Sequence, residues 1–300
     1  MRRLLAILLC VPALALAQAY PSKPVRMIVG FPAGGPADIF GRALAQGMSA
    51  DLGQTVLVEN ISGVGGVIGV DRALKSTPDG YTMVLNSASP LVIAPYSLAK
   101  LPYDVKKDIA LVTVVVRVPE VVAVHPSVPA NSLADLVAFA RANPGKVNFG
   151  SAGSGSITHL AGELLKAEAK IDIVHVPYKG AAPAVTDLVG GQVQMGIFDV
   201  PVLLQHIRSG KLKALAVTSA NRAETLPAVP TTVEMKYPNV TPDKWYGLIL
   251  PAAPPADIQK RVHSAAVTAL KSSAVAEQFA KVGGVASPGT PQDYARFLEA

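Results

Sequence analysis

Cysteine is nearly absent: the 300 residues contain one, Cys10. A single thiol cannot form an internal disulfide, a four-cysteine zinc site or an iron–sulfur cluster. Aromatic residues are scarce at 5% and charged residues at 16%. Like charges do not run together, and the few aromatics do not interleave with basic residues, which argues against nucleic acid as a partner. The five histidines, at 125, 159, 175, 206 and 263, lack metal-site spacing, and no H-E-x-x-H, G-x-S-x-G or P-loop pattern occurs. No metal and no cofactor is therefore expected. Beyond the N-terminus, no apolar stretch is long enough for a bilayer span, which takes about 20 residues.

What is present is a chain for globular folding. Half of the residues are hydrophobic, enough for true cores and against dominant disorder. Glycine and proline each count 25, so turns are frequent, and the length suits two domains of ordinary size. The start is an exception. Arg2 and Arg3 precede an uncharged run over residues 4–17, and small residues then stand in A-x-A spacing at Ala15 and Ala17 or at Ala17 and Ala19. This is the pattern of a secretory signal peptide, expected to be cleaved between Ala17 and Tyr20. Leu9 stands where lipidation of Cys10 would want a small residue, so a lipoprotein reading is rejected. Without Arg2 and Arg3, 25 basic residues face 21 acidic ones, leaving a mildly basic exported protein of net charge +4 with no cysteine.

Strand and helix patterns alternate along the rest. Residues 25–30, 55–58 and 81–85 read as strands, each followed by a turn and the first two by helices; residues 86–90 read as a loop. The same grammar restarts with strands over 121–124, 147–150, 173–176, 193–197 and 213–218, with helices between them, and residues 248–250 form a last strand before a helix over 256–270. Such alternation predicts a parallel α/β sheet, twice over. Gly63, Gly65 and Gly69 form a relaxed G-x-G-x-x-x-G, but no acidic residue clearly ends the next strand, so the glycines read as a helix packed close to the sheet rather than a dinucleotide site. Ser156, Thr158 and His159 could suggest a nucleophile, yet no acidic partner is placed to orient the histidine, and Ser156 reads as a helix cap.

Two loops share one physical logic. Phe31-Pro32-Ala33-Gly34-Gly35-Pro36-Ala37-Asp38 brings the backbone close to a ligand through its glycines and aims the N–H end of a helix at it. Residues 151–158 repeat the device with small residues and hydroxyls. One such loop in each half of an exported protein predicts a clamshell gripping a small anion with two carboxylates.

The chain resembles a known family at these points and others. Pro21-Ser22-Lys23-Pro24-Val25-Arg26, the loop from Phe31 to Asp38, Val58-Glu59-Asn60, Pro78-Asp79-Gly80-Tyr81-Thr82, Gly153-Ser154-Gly155-Ser156-Ile157-Thr158-His159-Leu160-Ala161-Gly162-Glu163, His175-Val176-Pro177-Tyr178-Lys179-Gly180, Leu215-Ala216-Val217-Thr218 and Leu226-Pro227-Ala228-Val229-Pro230-Thr231 occur in order. They are similar to the Bug-type solute-binding proteins, the extracytoplasmic receptors of tripartite tricarboxylate transporters. The resemblance implies an α/β type 2 periplasmic-binding-protein fold: a signal peptide over 1–19, lobe I over 20–121 plus 245–300, lobe II over 122–244, and a ligand cleft between the lobes. It implies that Phe31, Ala33, Gly34, Gly35 and Asp38 serve one ligand carboxylate, and that Ser154, Gly155, Ser156, Thr158 and His159 serve the other. Ser87 and Ser89 match the loop after the third strand; Tyr178 and Asp199 match positions of the second lobe near the ligand. Asn86 departs from the pattern and brings a larger polar side chain toward the cleft. The final helix, residues 291–300, stops sooner than in family members.

The expected function is a monomeric periplasmic receptor that delivers a small organic acid (a di- or tricarboxylate, an acidic amino acid or an aromatic acid) to membrane permease subunits. A sensor that presents the same acid to a kinase would use the same binding chemistry, and a secreted enzyme would need a catalytic constellation that the sequence does not show.

Overall fold

The computed structural model describes residues 20–242 and 244–299; the expected export signal, residues 1–19, lies outside them. The chain lays down β1 (Val25–Val29), α1 (Pro36–Leu52), β2 (Val56–Asn60), α2 (Val67–Leu74), β3 (Thr82–Ser87), α3 (Ala94–Ser97) and β4 (Ile109–Arg117). It then crosses to β5 (Glu120–Val124), α4 (Leu133–Ala142), β6 (Val147–Ser151), α5 (Ile157–Ala169), β7 (Ile173–Pro177), α6 (Ala181–Val189), β8 (Met195–Asp199), α7 (Val200–Arg208) and β9 (Lys213–Val217). It returns through β10 (Trp245–Pro251), α8 (Ala256–Lys271), α9 (Ser273–Lys281), β11 (Val285–Ala286) and α10 (Pro291–Glu299).

Two sheets result, one in each α/β lobe. The first has the order β11-β4-β10-β3-β1-β2, with β1 parallel to β2 and β3, and β10 antiparallel to β3 and β4. The second has the order β7-β6-β8-β5-β9, with β6 parallel to β7 and β8, and β5 antiparallel to β8 and β9. Strands β3, β8 and β10 are buried along their whole length, as strands covered by helices on both faces must be. On one face of the first sheet Met27, Leu85 and Leu248 pack with Phe40, Leu44 and Met48 of α1 and Phe279 of α9. On the other, Ile28, Val84 and Ile249 pack with Val70 of α2 and Tyr294 of α10.

The helices begin and end where local chemistry directs. Proline opens α1 in its first turn, where its missing N–H costs nothing, and Gly53 closes it at φ 70°. The hydroxyl of Ser156 accepts from the His159 N–H and caps α5, as the sequence predicts. Gly69 explains the glycine-rich turn before α2. A Cβ there would lie 2.7 Å from the Gly30 Cα and 2.7 Å from the Ile61 carbonyl oxygen, so α2 rides directly on β1.

Several elements depart from the sequence reading. β4 was not anticipated: Ile-Ala-Leu-Val-Thr-Val-Val-Val-Arg lacks the turn punctuation and alternation that mark the other strands, because neighbours cover both of its faces. The short α3, α9 and β11 were also missed. β8 starts at Met195 rather than 193, and α7 follows it without a break at Val200, with Pro201 tolerated in the first helical turn. Residues 86–90 are not an open loop: Asn86 and Ser87 end β3, and Ser89–Ile93 form a wide helical turn. The expected lobe division at 121/122 falls inside β5, whose Glu120 and Val121 pair with Asp199 and Phe198 of the second sheet.

Because the atoms around Gly69 are backbone, they cannot swing aside. Gly69→Val is expected to lower the denaturant midpoint by the equivalent of roughly 1–3 kcal/mol. An unchanged midpoint would show that α2 can lift from the sheet freely.

Candidate ligand-binding site

The lobes touch. The Ser89 hydroxyl of the first accepts from the Ile157 N–H of the second at 3.1 Å, and a Cβ on Gly180 would collide with the Pro32 ring. Between them lies a narrow, nearly closed cavity with a free interior of about 10 Å³. Phe31, Pro32, Gly35, Pro36 and Ala37 line it from the first lobe; Ala152, Thr158, Ala181 and Asp199 from the second; Lys244 and Tyr246 close its floor. A second, more open depression, about 200 Å³, lies in the first lobe among Asp71, Lys75, Pro78, Tyr103 and Pro251, and contains none of the expected residues.

The loop at residues 31–38 is braced from behind. Asp38 is buried, and its carboxylate accepts from the Gly34 N–H at 3.0 Å, from Arg42 Nε at 3.0 Å and from Asn60 Nδ2 at 3.0 Å. Burial pushes this carboxyl up, but the bonds from Arg42, Gly34 and Asn60 outweigh burial and hold it below its ordinary value. Asn60 also donates to the Phe31 carbonyl at 3.0 Å. Gly34, at φ 76°, stands exposed at the tip with Ala33, while Gly35 and the start of α1 face the cavity. The first N–H groups of α1 lack partners within the helix: Pro36 has none, and the first helical bond runs from Ile39 to Gly35. Ala37 thus borders the cavity at the start of α1, with the helix dipole behind it. Asp38 itself does not line the cavity; it fixes the loop that does.

The second loop is more self-satisfied than the sequence suggests. The Ala152 N–H donates to Thr158 Oγ1 at 2.8 Å, Gly153 to Ser151 Oγ at 3.1 Å, Gly155 to His159 Nδ1 at 3.2 Å and Ile157 to Ser89 Oγ. Ser156 and Thr158 bond each other at 2.9 Å. Ser154 is exposed at the tip. The Ser89 oxygen on Ile157 thus occupies a donor at the start of α5, and Ser87 in turn accepts from the Ser89 N–H at 3.3 Å.

Of the expected residues, Phe31, Gly35, Thr158 and Asp199 line the cavity. Ala33, Gly34, Ser154, Gly155 and Ser156 form the two loops beside it. Tyr178 gives its hydroxyl to Asp187 at 2.7 Å, and His159 turns its ring onto His175. Asn86 does not reach toward the cleft: it is buried, donates to the Ser87 carbonyl and lies beside the Tyr294 hydroxyl.

The floor was missed. Lys244 Nζ stands 3.6 Å from Asp199 Oδ1 and 3.9 Å from Glu120 Oε1, and Tyr246 donates to Asp199 Oδ2 at 2.5 Å. Glu120 is fully buried, and Asp199 and Lys244 nearly so. Both Glu120 oxygens and Asp199 Oδ1 accept no hydrogen bond. Burial, and the nearby Asp199 carboxyl, push the Glu120 carboxyl well above the ordinary range, only partly offset by the Lys244 ammonium. The sequence signal is faint: one acid opening an apolar strand at 120, and one lysine before Trp245.

Among the described residues, no cluster of three or more His, Cys, Asp or Glu could hold a metal ion, and no helix is long and apolar enough to cross a membrane. A two-lobed α/β molecule with a cleft between its lobes is the architecture of a solute-binding receptor. The chain belongs to the tripartite tricarboxylate transporter receptor family, whose match spans residues 40–300. It is 40% identical to BugT of Bordetella pertussis over 283 residues, covering 94% of this chain and 87% of that one. Among solved structures, it superposes on the periplasmic binding protein BugD with a TM-score of 0.90 at 33% identity, covering 93% and 94% of the two chains. An R. palustris protein solved with adipate gives 0.90 at 31% identity (93% and 94%), and MatC of Rhodopseudomonas palustris with bound malate gives 0.88 at 28% (93% and 96%). The Bug-type resemblance and the periplasmic-binding fold expected from the sequence are thereby established.

A carboxyl whose pKa rises on folding contributes stability that fades as pH climbs above its unfolded value, here 4.5. Glu120→Gln does not titrate. Its stability relative to wild type should therefore improve as pH rises above about 4.5, by at most about 1.4 kcal/mol per pH unit. Urea unfolding at several pH values reads this; a constant difference would mean that Glu120 is ionised at no cost.

Proposed function

We propose that the protein is a periplasmic receptor that captures a small dicarboxylate between its lobes and hands it to membrane permease subunits. The observation that carries this reading is the cavity itself: the lobes meet over a space walled by the N-terminal turns of α1 and α5, the positions suited to two carboxylates. The relatives with bound adipate and malate support a diacid over an aromatic acid. One carboxylate meets the donors at 35–38, with Phe31 packed against the ligand body; the other meets the turn at 153–158. Ser87 and Ser89 act at the seam, and Asp199 at the floor. Binding without turnover is what these groups can do: they supply donors and dipoles but no positioned nucleophile and base. We place the export signal at residues 1–19 and draw the mature lobes at the crossings, with 20–118 and 245–299 in one and 119–244 in the other.

The test is a thermal-shift screen of the mature protein with succinate, malate, adipate, citrate, glutamate and benzoate. A ligand at about 100 times its Kd adds about 2.7 kcal/mol to the folded state. Diacids are expected to raise the melting temperature and benzoate to leave it unchanged. Gly180→Ala, which puts a methyl against Pro32 at φ 152°, should hold the lobes apart. It is expected to melt below wild type without ligand, because φ 152° strains any side chain, yet to stay folded and bind the best diacid at least about tenfold more weakly, the equivalent of about 1.4 kcal/mol. A screen in which no acid stabilises the protein, or a Gly180→Ala variant with wild-type affinity, would overturn the reading.

A further inference from the structure

Behind the 151–156 turn, outside the cavity lining, two histidines lie face to face. The rings of His159 (α5) and His175 (β7) stack with centroids 3.8 Å apart and planes 19° apart, and Phe149 of β6 stacks beside them at 5.0 Å from His175. Each imidazole ends a short chain of bonds from the turn. The Gly155 N–H donates to His159 Nδ1 at 3.2 Å. The Gly153 N–H donates to Ser151 Oγ at 3.1 Å, and that oxygen lies 2.6 Å from His175 Nε2.

These bonds dictate protonation. A donor pointing at Nδ1 requires a bare lone pair there, so the His159 proton sits on Nε2, toward Glu163 Oε1 at 3.7 Å. Ser151, already accepting from Gly153, has a second lone pair, so it can pair with His175 Nε2 as donor or as acceptor. Two charged rings at 3.8 Å would repel each other strongly. Glu163, one turn along α5, is the charged group beside the pair. β6 and β7 face it with Phe149, Ser151 and the two rings themselves and bring no charged side chain; Asp199, at the end of β8, is committed to Tyr246.

We propose that His159 and His175 are positioning residues: stacked and uncharged, they hold the 153–156 turn in its ligand-gripping shape, and acid releases that turn. The inference rests on the reading that this turn meets a ligand carboxylate. It moves His159 from a ligand contact to a support behind the contact. Burial, and then its nearness to His159, press His175 down to about 4, so His175 resists protonation until the medium is well below neutral. The sign follows: a histidine whose pKa falls on folding costs stability as pH drops from 6.5 toward 4. The loss should fall on the turn, whose Gly155 N–H depends on the bare Nδ1 of His159.

The test uses amide hydrogen exchange of the ligand-free protein between about pH 7.5 and 4.5, corrected for the intrinsic pH dependence of exchange. Protection at Gly155 is expected to fall about tenfold over that range, while β3 and β10 stay protected, since losing one such bond is worth about 1.4 kcal/mol. His159→Asn keeps an acceptor near the position of Nδ1 but cannot titrate, and should hold Gly155 protection flat. Constant protection in wild type, or an equal fall in His159→Asn, would overturn the proposal. Calorimetry with L-malate at the same pH values separates the two claims. The ratio of wild-type to His159→Asn affinity cancels the ligand's own ionisation and should drop as pH falls. If malate does not bind at all, the carboxylate reading of the cleft fails, and the exchange data still decide the role of the histidines.

Discussion

The chain passes between its lobes twice, and the two passages are bound to each other. The Val118 N–H donates to the Lys244 carbonyl at 2.9 Å, so the outgoing and returning segments run as a short pair. Directly beside this pair, Lys244 faces Glu120, the first residue of β5, and Asp199, the last residue of β8. Three ionisable side chains with almost no water between them are costly to bury, and removing one partner from such a set usually costs more than the set contributes. The cluster therefore fixes where the lobes join. Everything above it follows: which strand ends face each other, how near Pro32 comes to Gly180, and the size of the cleft.

On that joint, the two loops work differently. The first is stiffened by Asp38, whose three bonds freeze the turn and leave the start of α1 aimed at the cavity. The second is stiffened by hydroxyls and imidazoles that already hold most of its own N–H groups. Ser89 reaches across to α5 and makes in this closed form a contact of the kind a ligand oxygen would make. A ligand entering the cleft must compete with that contact, so closing without ligand and gripping a ligand use overlapping donors. Such overlap moderates affinity, which suits a receptor that has to release what it binds.

Much of this was legible in the residues. Strand–helix alternation with glycine and proline turns gave two α/β lobes, and the paired small-residue turns gave the two loops of the cleft. Those signals are local. β4 escaped because a strand buried on both faces loses the alternation that betrays a half-exposed one. Glu120, Lys244 and Tyr246 escaped because their meeting depends on a return crossing more than a hundred residues later. Asn86 was misplaced toward the cleft because a strand's alternation decides which face it takes, and the end of β3 was read two residues short. His159 was singled out by its motif as a ligand contact, and the motif cannot show that His175 lies against it.

The central claim is that the interlobe cavity holds a diacid by its two ends. A crystal structure of the protein grown with the diacid that stabilises it most tests this directly. The account predicts one carboxylate at the start of α1, within reach of the Ala37 and Asp38 N–H groups, and the other at the 153–158 turn, with Ser89 displaced from Ile157 or sharing its donor. Ligand density in the depression beside Pro78 and Tyr103, with the interlobe cavity empty, would contradict it.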